Sequence, residues 1–265
     1  MSIQYLGRDD APIGSETWEL LDRAMVDAAK SILAGRRLLE IEGPHGLGLK
    51  AVPLEDSRVS ECLSVSGVVP VHMISTRFSL RLRDVVAYEQ NGLPFSATPA
   101  IQAATECARQ EDALVFEGVG GNAGLTTHEE AGKMALSSWS TVGKAADDVI
   151  QAMIALDDAG YHGPYALALA PSRYNLLFRR YTQGQGTELE HLRSIATDGV
   201  FKAPTLRNGG VLLATGKRYA SIVLGQDMFV GYIGPADDSL EFSVTESLAL
   251  LVREPASICV LGEKR

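Results

Sequence analysis

Cysteine is scarce. Cys62, Cys107 and Cys259 are odd in number and far apart in a chain of 265 residues. No disulfide framework or zinc site follows from them, and a reducing compartment is expected. Long apolar runs are missing as well. No stretch approaches the roughly 20 residues of a membrane helix, and residues 1–12 lack the basic flank and apolar run of a signal peptide. A soluble, cytoplasmic protein is therefore expected. Positive charge is in deficit: the formal net charge is −9, which argues against a general nucleic-acid binder. The densest basic spots, Arg179-Arg180 and Lys217-Arg218, are short and lack interleaved aromatics, so they read as solvated charge. Catalytic patterns are equally thin. There is no nucleophile elbow. His45, His72, His128, His162 and His191 never recur at i, i+4, and His128-Glu129-Glu130 lacks the second histidine of a zinc helix. What remains is a globular composition, 46% hydrophobic and 22% charged, long enough for one large domain or two lobes.

Periodicity organises the chain. Residues 1–14 are polar and read as an arm. Ser15 is placed to cap a helix carrying Trp18, Leu21, Met25, Ala28 and Ile32 on one face, with Gly35 as its stop. Residues 38–78 switch to period two, with too few large apolar side chains for a core. This predicts an exposed hairpin, or an arm that gains stability by lying on a neighbouring subunit. A helix is predicted over 100–116 with Ile101, Ala104, Ala108 and Val115 on one stripe. A second carries Val149, Ile150, Met153, Ile154 and Leu156. Residues 165–170 read as a strand, and Pro171-Ser172 open a helix running towards Tyr181. Thr182-Gln183-Gly184-Gln185-Gly186 reads as a flexible loop, followed by the capping box Thr187-Glu188-Leu189-Glu190. The remainder is strands. Helices and strands mix without a βαβ rhythm, so the fold class is α+β.

The candidate chemistry is weak. Gly118-Val119-Gly120-Gly121-Asn122-Ala123 matches the dinucleotide fingerprint in letters, but a helical segment precedes it where a strand is needed; a turn is the better reading. Glu111-Asp112, Asp147-Asp148, Asp157-Asp158 and Asp237-Asp238 are sequence neighbours. On a helix such pairs point about 100° apart and cannot converge as an acid and base, so solvated faces or caps are expected. Cys107 falls on an apolar stripe and reads as core. No catalytic, cofactor or metal residue is nominated.

One arrangement is specific. Leu224-Gly225-Gln226-Asp227-Met228-Phe229-Val230-Gly231-Tyr232 reads as two strand-like runs, 221–224 and 228–232, broken by a Gly-Gln-Asp turn. Thr245-Glu246-Ser247 and Glu254-Pro255-Ala256 follow. Three upstream segments keep order with it: Gly35-Arg36 leading to Gly43-Pro44-His45-Gly46; then 111–118, Glu-Asp-Ala-Leu-Val-Phe-Glu-Gly; then 163–167, Gly-Pro-Tyr-Ala-Leu. Together they resemble the family 1 encapsulins, linocin-like bacterial nanocompartment shell proteins.

The resemblance implies a phage major-capsid-like (HK97-type) subunit. Its parts would be an N-terminal arm and helix (1–46), an extended loop (47–70), a peripheral lobe with a spine helix (71–136), an axial lobe (137–218) and C-terminal peripheral strands (219–265). It implies a closed icosahedral homo-oligomer of about sixty copies that encloses a cargo enzyme. The cargo would be a ferritin-like iron oxidase, for iron storage under oxidative stress, or a dye-decolorising peroxidase. Its C-terminal targeting peptide would dock in a trough between the N-terminal helix and the C-terminal strands, at Ala29, Leu33, Arg36, Leu38 and Glu40 with Ile233, Leu240 and Phe242 opposite. The other reading of these residues is core between helix and sheet. The loop Thr182, Gln183, Gly184, Gln185 and Gly186 would line a five-fold pore, without the family's histidine-tyrosine-proline cluster. Arg83 stands where some members have a flavin-stacking tryptophan, so no flavin is expected. Ser75 stands where arginine is frequent. The competing readings are a prophage major capsid protein and a bacteriocin- or protease-type enzyme.

Overall fold

A computed structural model describes residues 3–182 and 186–263. Helix α1 (Ser15–Ile32) buries Thr17, Leu21, Met25, Ala28 and Ala29, the face its spacing predicts. Its cap differs from expectation. Ser15 lies inside the helix and Gly14 is the cap. The carboxylate of Glu89 serves this end instead, accepting from the Gly14 N–H and the Thr17 hydroxyl, each at 2.6 Å. Gly35 is likewise not the stop; it opens the single turn α2 (Gly35–Leu38). A Cβ at Gly35 would sit 3.0 Å from Val115 Cγ1, so close packing, and not a left-handed turn, accounts for this glycine.

Strand β1 (Glu40–Glu42) precedes a hairpin of β2 (Ala51–Ser60) and β3 (Leu63–Pro70). These two strands pair only with each other, and no residue from 51 to 70 is buried. Next come β4 (His72–Arg81), α3 (Leu82–Asn91) and the long α4 (Thr98–Phe116). The buried stripe of α4 is Ala100, Ala104, Cys107 and Ala108, whereas Ile101 is 41% exposed. The glycine-rich segment forms a minimal hairpin of β5 (Gly118–Val119) and β6 (Asn122–Ala123). A Cβ at Gly118 (φ 80°) would lie 2.1 Å from the Asn122 carbonyl oxygen, so the glycine serves the turn.

The chain continues through β7 (Gly132–Leu136), α5 (Lys144–Asp158), β8 (Tyr165–Leu169) and α6 (Pro171–Tyr174). The helix expected to reach Tyr181 tightens to a 3-10 turn over Asn175–Phe178 and ends there, because Arg179 is extended. Then follow α7 (Glu188–Ile195), β9 (Gly199–Lys202), β10 (Gly210–Ala214), β11 (Ala220–Ala236), β12 (Ser239–Val252) and β13 (Ile258–Glu263). The expected Gly225-Gln226-Asp227 turn is absent: β11 runs straight through it. Within that stretch the Gln226 N–H donates to Ser247 Oγ (2.9 Å) and the Met228 N–H to Asp227 Oδ1 (2.8 Å).

Two units result. The first comprises Met1–Leu33, Gly43–Glu111 and Leu224–Ala249; the second comprises Ala34–Glu42, Asp112–Val223 and Leu250–Arg265. In the first, β4 runs antiparallel to residues 239–248 of β12, placing Phe78 opposite Phe242. Phe242 is ringed by Phe78 (5.3 Å, stacked), Tyr232 (5.5 Å) and Trp18 (5.7 Å). Arg8, from the arm, covers the Trp18 ring at 3.9 Å and pairs with Asp22 at 2.7 Å. The second unit is built on a five-stranded sheet in the order β7-β13-β10-β8-β9. Its core includes Trp139, Leu167, Leu177, Leu192 and Leu212. The terminal strand β13 therefore lies in this sheet, between β7 and β10, and the C-terminal strands are divided between the units.

Candidate functional site

Of the trough residues, Ala29, Leu33, Ile233, Leu240 and Phe242 belong to the first unit, and Arg36, Leu38 and Glu40 to the second. Ala29, Leu33, Leu240 and Phe242 share one core cluster, at 6%, 6%, 2% and 0% exposure. Leu38 is 3% exposed. In this conformation those five side chains are already covered, as the core reading has it. Ile233 at 45% reaches the surface, Glu40 is exposed, and Arg36 is half-buried. Arg83 is exposed on α3, and Ser75 is exposed on β4 opposite Thr245.

The neck of the glycine-rich loop is built more firmly than its sequence suggests. Gln183, Gly184 and Gln185 lie outside the described residues; Thr182 is exposed and Gly186 half-buried. Below them Arg180 and Thr187 bridge, the Tyr181 N–H donates to the Gly186 carbonyl (3.2 Å) and the Glu188 N–H to the Arg179 carbonyl (3.0 Å). The capping box forms as expected. The Glu190 N–H donates to Thr187 Oγ1 and the Thr187 N–H to Glu190 Oε2 at 2.7 Å. The Thr187 N–H, with the Thr187 hydroxyl, holds the Glu190 carboxyl below its usual range.

Glu188 does something different. Its side chain is 0% exposed and takes Arg179 Nη2 at 2.9 Å, while its other oxygen accepts the Gly143 N–H at 2.7 Å. Arg179 also donates to the Trp139 carbonyl at 2.7 Å. Arg179 is thus a buried-pair cation clamping the loop neck, not solvated charge. The Tyr181 hydroxyl meets His191 Nδ1 at 2.8 Å. Burial raises its pKa, with Glu188 and Asp147 adding to the effect.

Among the paired acids expected on solvated faces or as caps, Asp112 is a cap, and it is not solvated. Glu111 and Asp112 are both 0% exposed. Asp112 accepts the backbone N–H groups of Ala34 (2.9 Å) and Gly35 (2.9 Å), which start α2. Asp148 gathers the Ser137 N–H, the Ser137 hydroxyl and Trp139 Nε1, all within 2.9 Å. Glu42 meets Ser221 and pairs with Arg253 at 2.9 Å. Burial pushes its carboxyl up, but the Ser221 and Arg253 hydrogen bonds with the nearby charges hold it below its usual value. Asp112 and Asp148 hold backbone N–H groups, and Glu42 ties β1 to Ser221 and Arg253. Among the described residues, no group of three His, Cys, Asp or Glu side chains could hold a metal ion, and no helix is long and apolar enough to cross a membrane.

Solved structures of capsid subunits share this fold. The crystal structure of a virus-like particle from Pyrococcus furiosus superposes with a TM-score of 0.72 at 22% identity, covering 93% of this chain and 99% of that one. The capsid of Myoviridae Phage XM1 superposes with a TM-score of 0.62 at 12% identity, covering 85% and 90%. The fold is therefore that of a phage-capsid-like shell subunit. The sequence then fixes the family. The model for "Encapsulating protein for peroxidase" matches residues 3–249. The type 1 encapsulin shell protein EncA of Myxococcus xanthus is 32% identical over 97% of this chain and 96% of its own length. The ferritin-like-encapsulin shell fusion protein of Pyrococcus furiosus is 25% identical over 93% of this chain and 68% of its own. The chain belongs to the encapsulin shell-protein family.

Proposed function

We propose that this chain is the repeating subunit of a closed icosahedral shell of about sixty copies, structural and not itself an enzyme, lying in the cytoplasm around a cargo enzyme. The observation that carries the reading is the β2–β3 hairpin. The two strands and their turn, residues 51–70, bury no side chain within the chain, and Val59, Leu63, Val65 and Val68 are 48–62% exposed. An isolated two-stranded hairpin is at best marginally stable in water, so a second subunit is the natural cover.

The cargo we favour is a ferritin-like iron oxidase, because a relative carries a ferritin-like part fused to its shell part; a dye-decolorising peroxidase is the alternative. Its targeting peptide would engage the surface of the first unit at Ile233. Phage-capsid kinship of fold keeps a DNA-filled head as the second reading, against which the net charge of −9 weighs. Co-expression with the neighbouring cargo gene tests the proposal. Electron microscopy of the purified material should show closed particles. Mass spectrometry should find the cargo, and the absorbance ratio should be that of protein alone. Nucleic-acid-filled heads would favour the capsid reading.

A further inference from the structure

At the C-terminal end of α5 the second unit gathers phenols, an imidazole and carboxylates. Gly160 (φ 92°) follows the helix, and the Tyr161 N–H donates back to the Leu156 carbonyl at 2.9 Å. The chain therefore reverses and sets Tyr161 and His162 beside Asp157. The Arg253 and Glu254 N–H groups both donate to the Tyr219 carbonyl, at 2.7 and 3.1 Å, which brings Glu254 to the same place. Tyr165 and Tyr219 are 6% and 7% exposed, and Tyr161 is half-buried. The Tyr161 and Tyr219 rings meet edge to face at 5.4 Å. Packing alone would need only phenylalanine, yet each phenol has a polar partner. The Tyr161 hydroxyl donates to Glu254 Oε2 at 3.1 Å and the Tyr165 hydroxyl to Asp157 Oδ1 at 2.6 Å. The Tyr219 oxygen accepts from Arg218. His162 Nδ1 lies 3.1 Å from the same Asp157 oxygen, on a side chain 74% exposed. Phenol, carboxylate and imidazole thus connect the core to water. Burial, reinforced by Glu254 and Asp157, raises Tyr161 and Tyr165 above the ordinary phenol value. Both rings stay protonated at neutral pH, so an electron leaves either one most easily together with its proton.

We propose that this cluster is an electron-donor site that reduces small, diffusible one-electron oxidants. Tyr161, the most exposed of the three phenols, gives the first electron to the oxidant. Its O–H bond breaks, the proton moves to Glu254, and a neutral phenoxyl remains. The Arg218 guanidinium disfavours an electron vacancy on Tyr219. Tyr165 therefore refills Tyr161. An electron crosses, Tyr161 recovers its proton from Glu254, and the Tyr165 proton passes to Asp157 and through His162 to water. The radical ends on a ring that is 6% exposed, shielded from other radicals. This activity goes beyond the shell reading and does not depend on it.

The probe is ruthenium(III) tris-bipyridine, made by a light flash from ruthenium(II) with a sacrificial electron acceptor. It meets the full-length chain in a Tyr5→Phe background, which removes a phenol that is 76% exposed. Absorbance reads the return to ruthenium(II), and electron paramagnetic resonance reads the tyrosyl radical. The background chain should reduce the probe more slowly in heavy water than in light. Adding Tyr161→Phe should remove most of the rate and most of the radical. Glu254→Gln keeps an acceptor oxygen but takes no proton, and should remove most of the deuterium effect. Tyr165→Phe should shorten the life of the radical. Equal rates in light and heavy water overturn the proposal, and that comparison needs no further variant to fold. A Tyr161→Phe chain as fast as its parent overturns it as well. So does a Glu254→Gln chain with the full deuterium effect, or a Tyr165→Phe radical as long-lived as the parent's.

Discussion

Glu188→Ala probes the clamp under the glycine-rich loop. The substitution removes the acceptor of the Gly143 N–H (2.7 Å) and of Arg179 Nη2 (2.9 Å) and Nε (3.2 Å). A buried donor left without a partner costs about 1–3 kcal/mol, and a hydrogen bond to a charged group is worth about 1.5–3 kcal/mol. Arg179 is 28% exposed and keeps the Trp139 carbonyl, so water recovers part of its loss and the charged contribution sits at the low end. The expected total is about 3–4 kcal/mol. For a chain of this size that lowers Tm by about 6–16 °C. Calorimetry reads it, at one fixed protein concentration because assembly makes Tm concentration-dependent. Arg179→Ala should cost at least as much, since it strands a buried carboxylate. The double variant should cost clearly less than the sum of the two. A Glu188→Ala loss under about 1 kcal/mol, or strict additivity, would refute the clamp.

Three further outcomes are expected. Ile233→Asp, at a 45% exposed position, should leave particles intact while cargo loading falls. Leu38→Asp, at 3%, should instead lower the yield of folded chain by burying a charge; the reverse pattern in particle yield and cargo ratio would show that the buried set forms the docking floor. Glu42 is held below its usual value of 4.5, so its stabilisation is full above that value and drains away as pH falls through the lower folded one. In urea titrations below pH 4.5, Glu42→Gln should flatten the acid loss of stability, and an unchanged slope counts against the Ser221–Arg253 contacts. Burial pushes the Cys259 thiol up to about 11, and Cys107 is buried. Neither should react with a thiol reagent at pH 8 until denaturant is added, and prompt labelling of either would contradict the packing.

Periodicity exposed the elements that depend on near neighbours. The α1 face, the Thr187–Glu190 box and the unburied hairpin were all legible because each is fixed within a few residues. The polar interior was not. Asp112 meets Ala34 across 78 positions of sequence, and Glu188 meets Gly143 across 45; adjacency to another acid says nothing about such partners. Gly225-Gln226-Asp227 has turn composition, yet Ser247 and the side chain of Asp227 itself satisfy the strand there. For the docking surface the obstacle is different. Apolar residues at Leu38 and Phe242 fit a groove floor and a core equally well, and only their burial distinguishes the two.

Light scattering coupled to size-exclusion chromatography tests the shell most directly, with electron microscopy of the same peak. The full chain should elute as one closed, hollow, nucleic-acid-free particle with a mass many times the 28.4 kDa of the chain, and deletion of residues 51–70 should abolish it. A full-length species at 28.4 kDa would contradict the assignment of the exposed hairpin to a neighbouring subunit, and with it the shell.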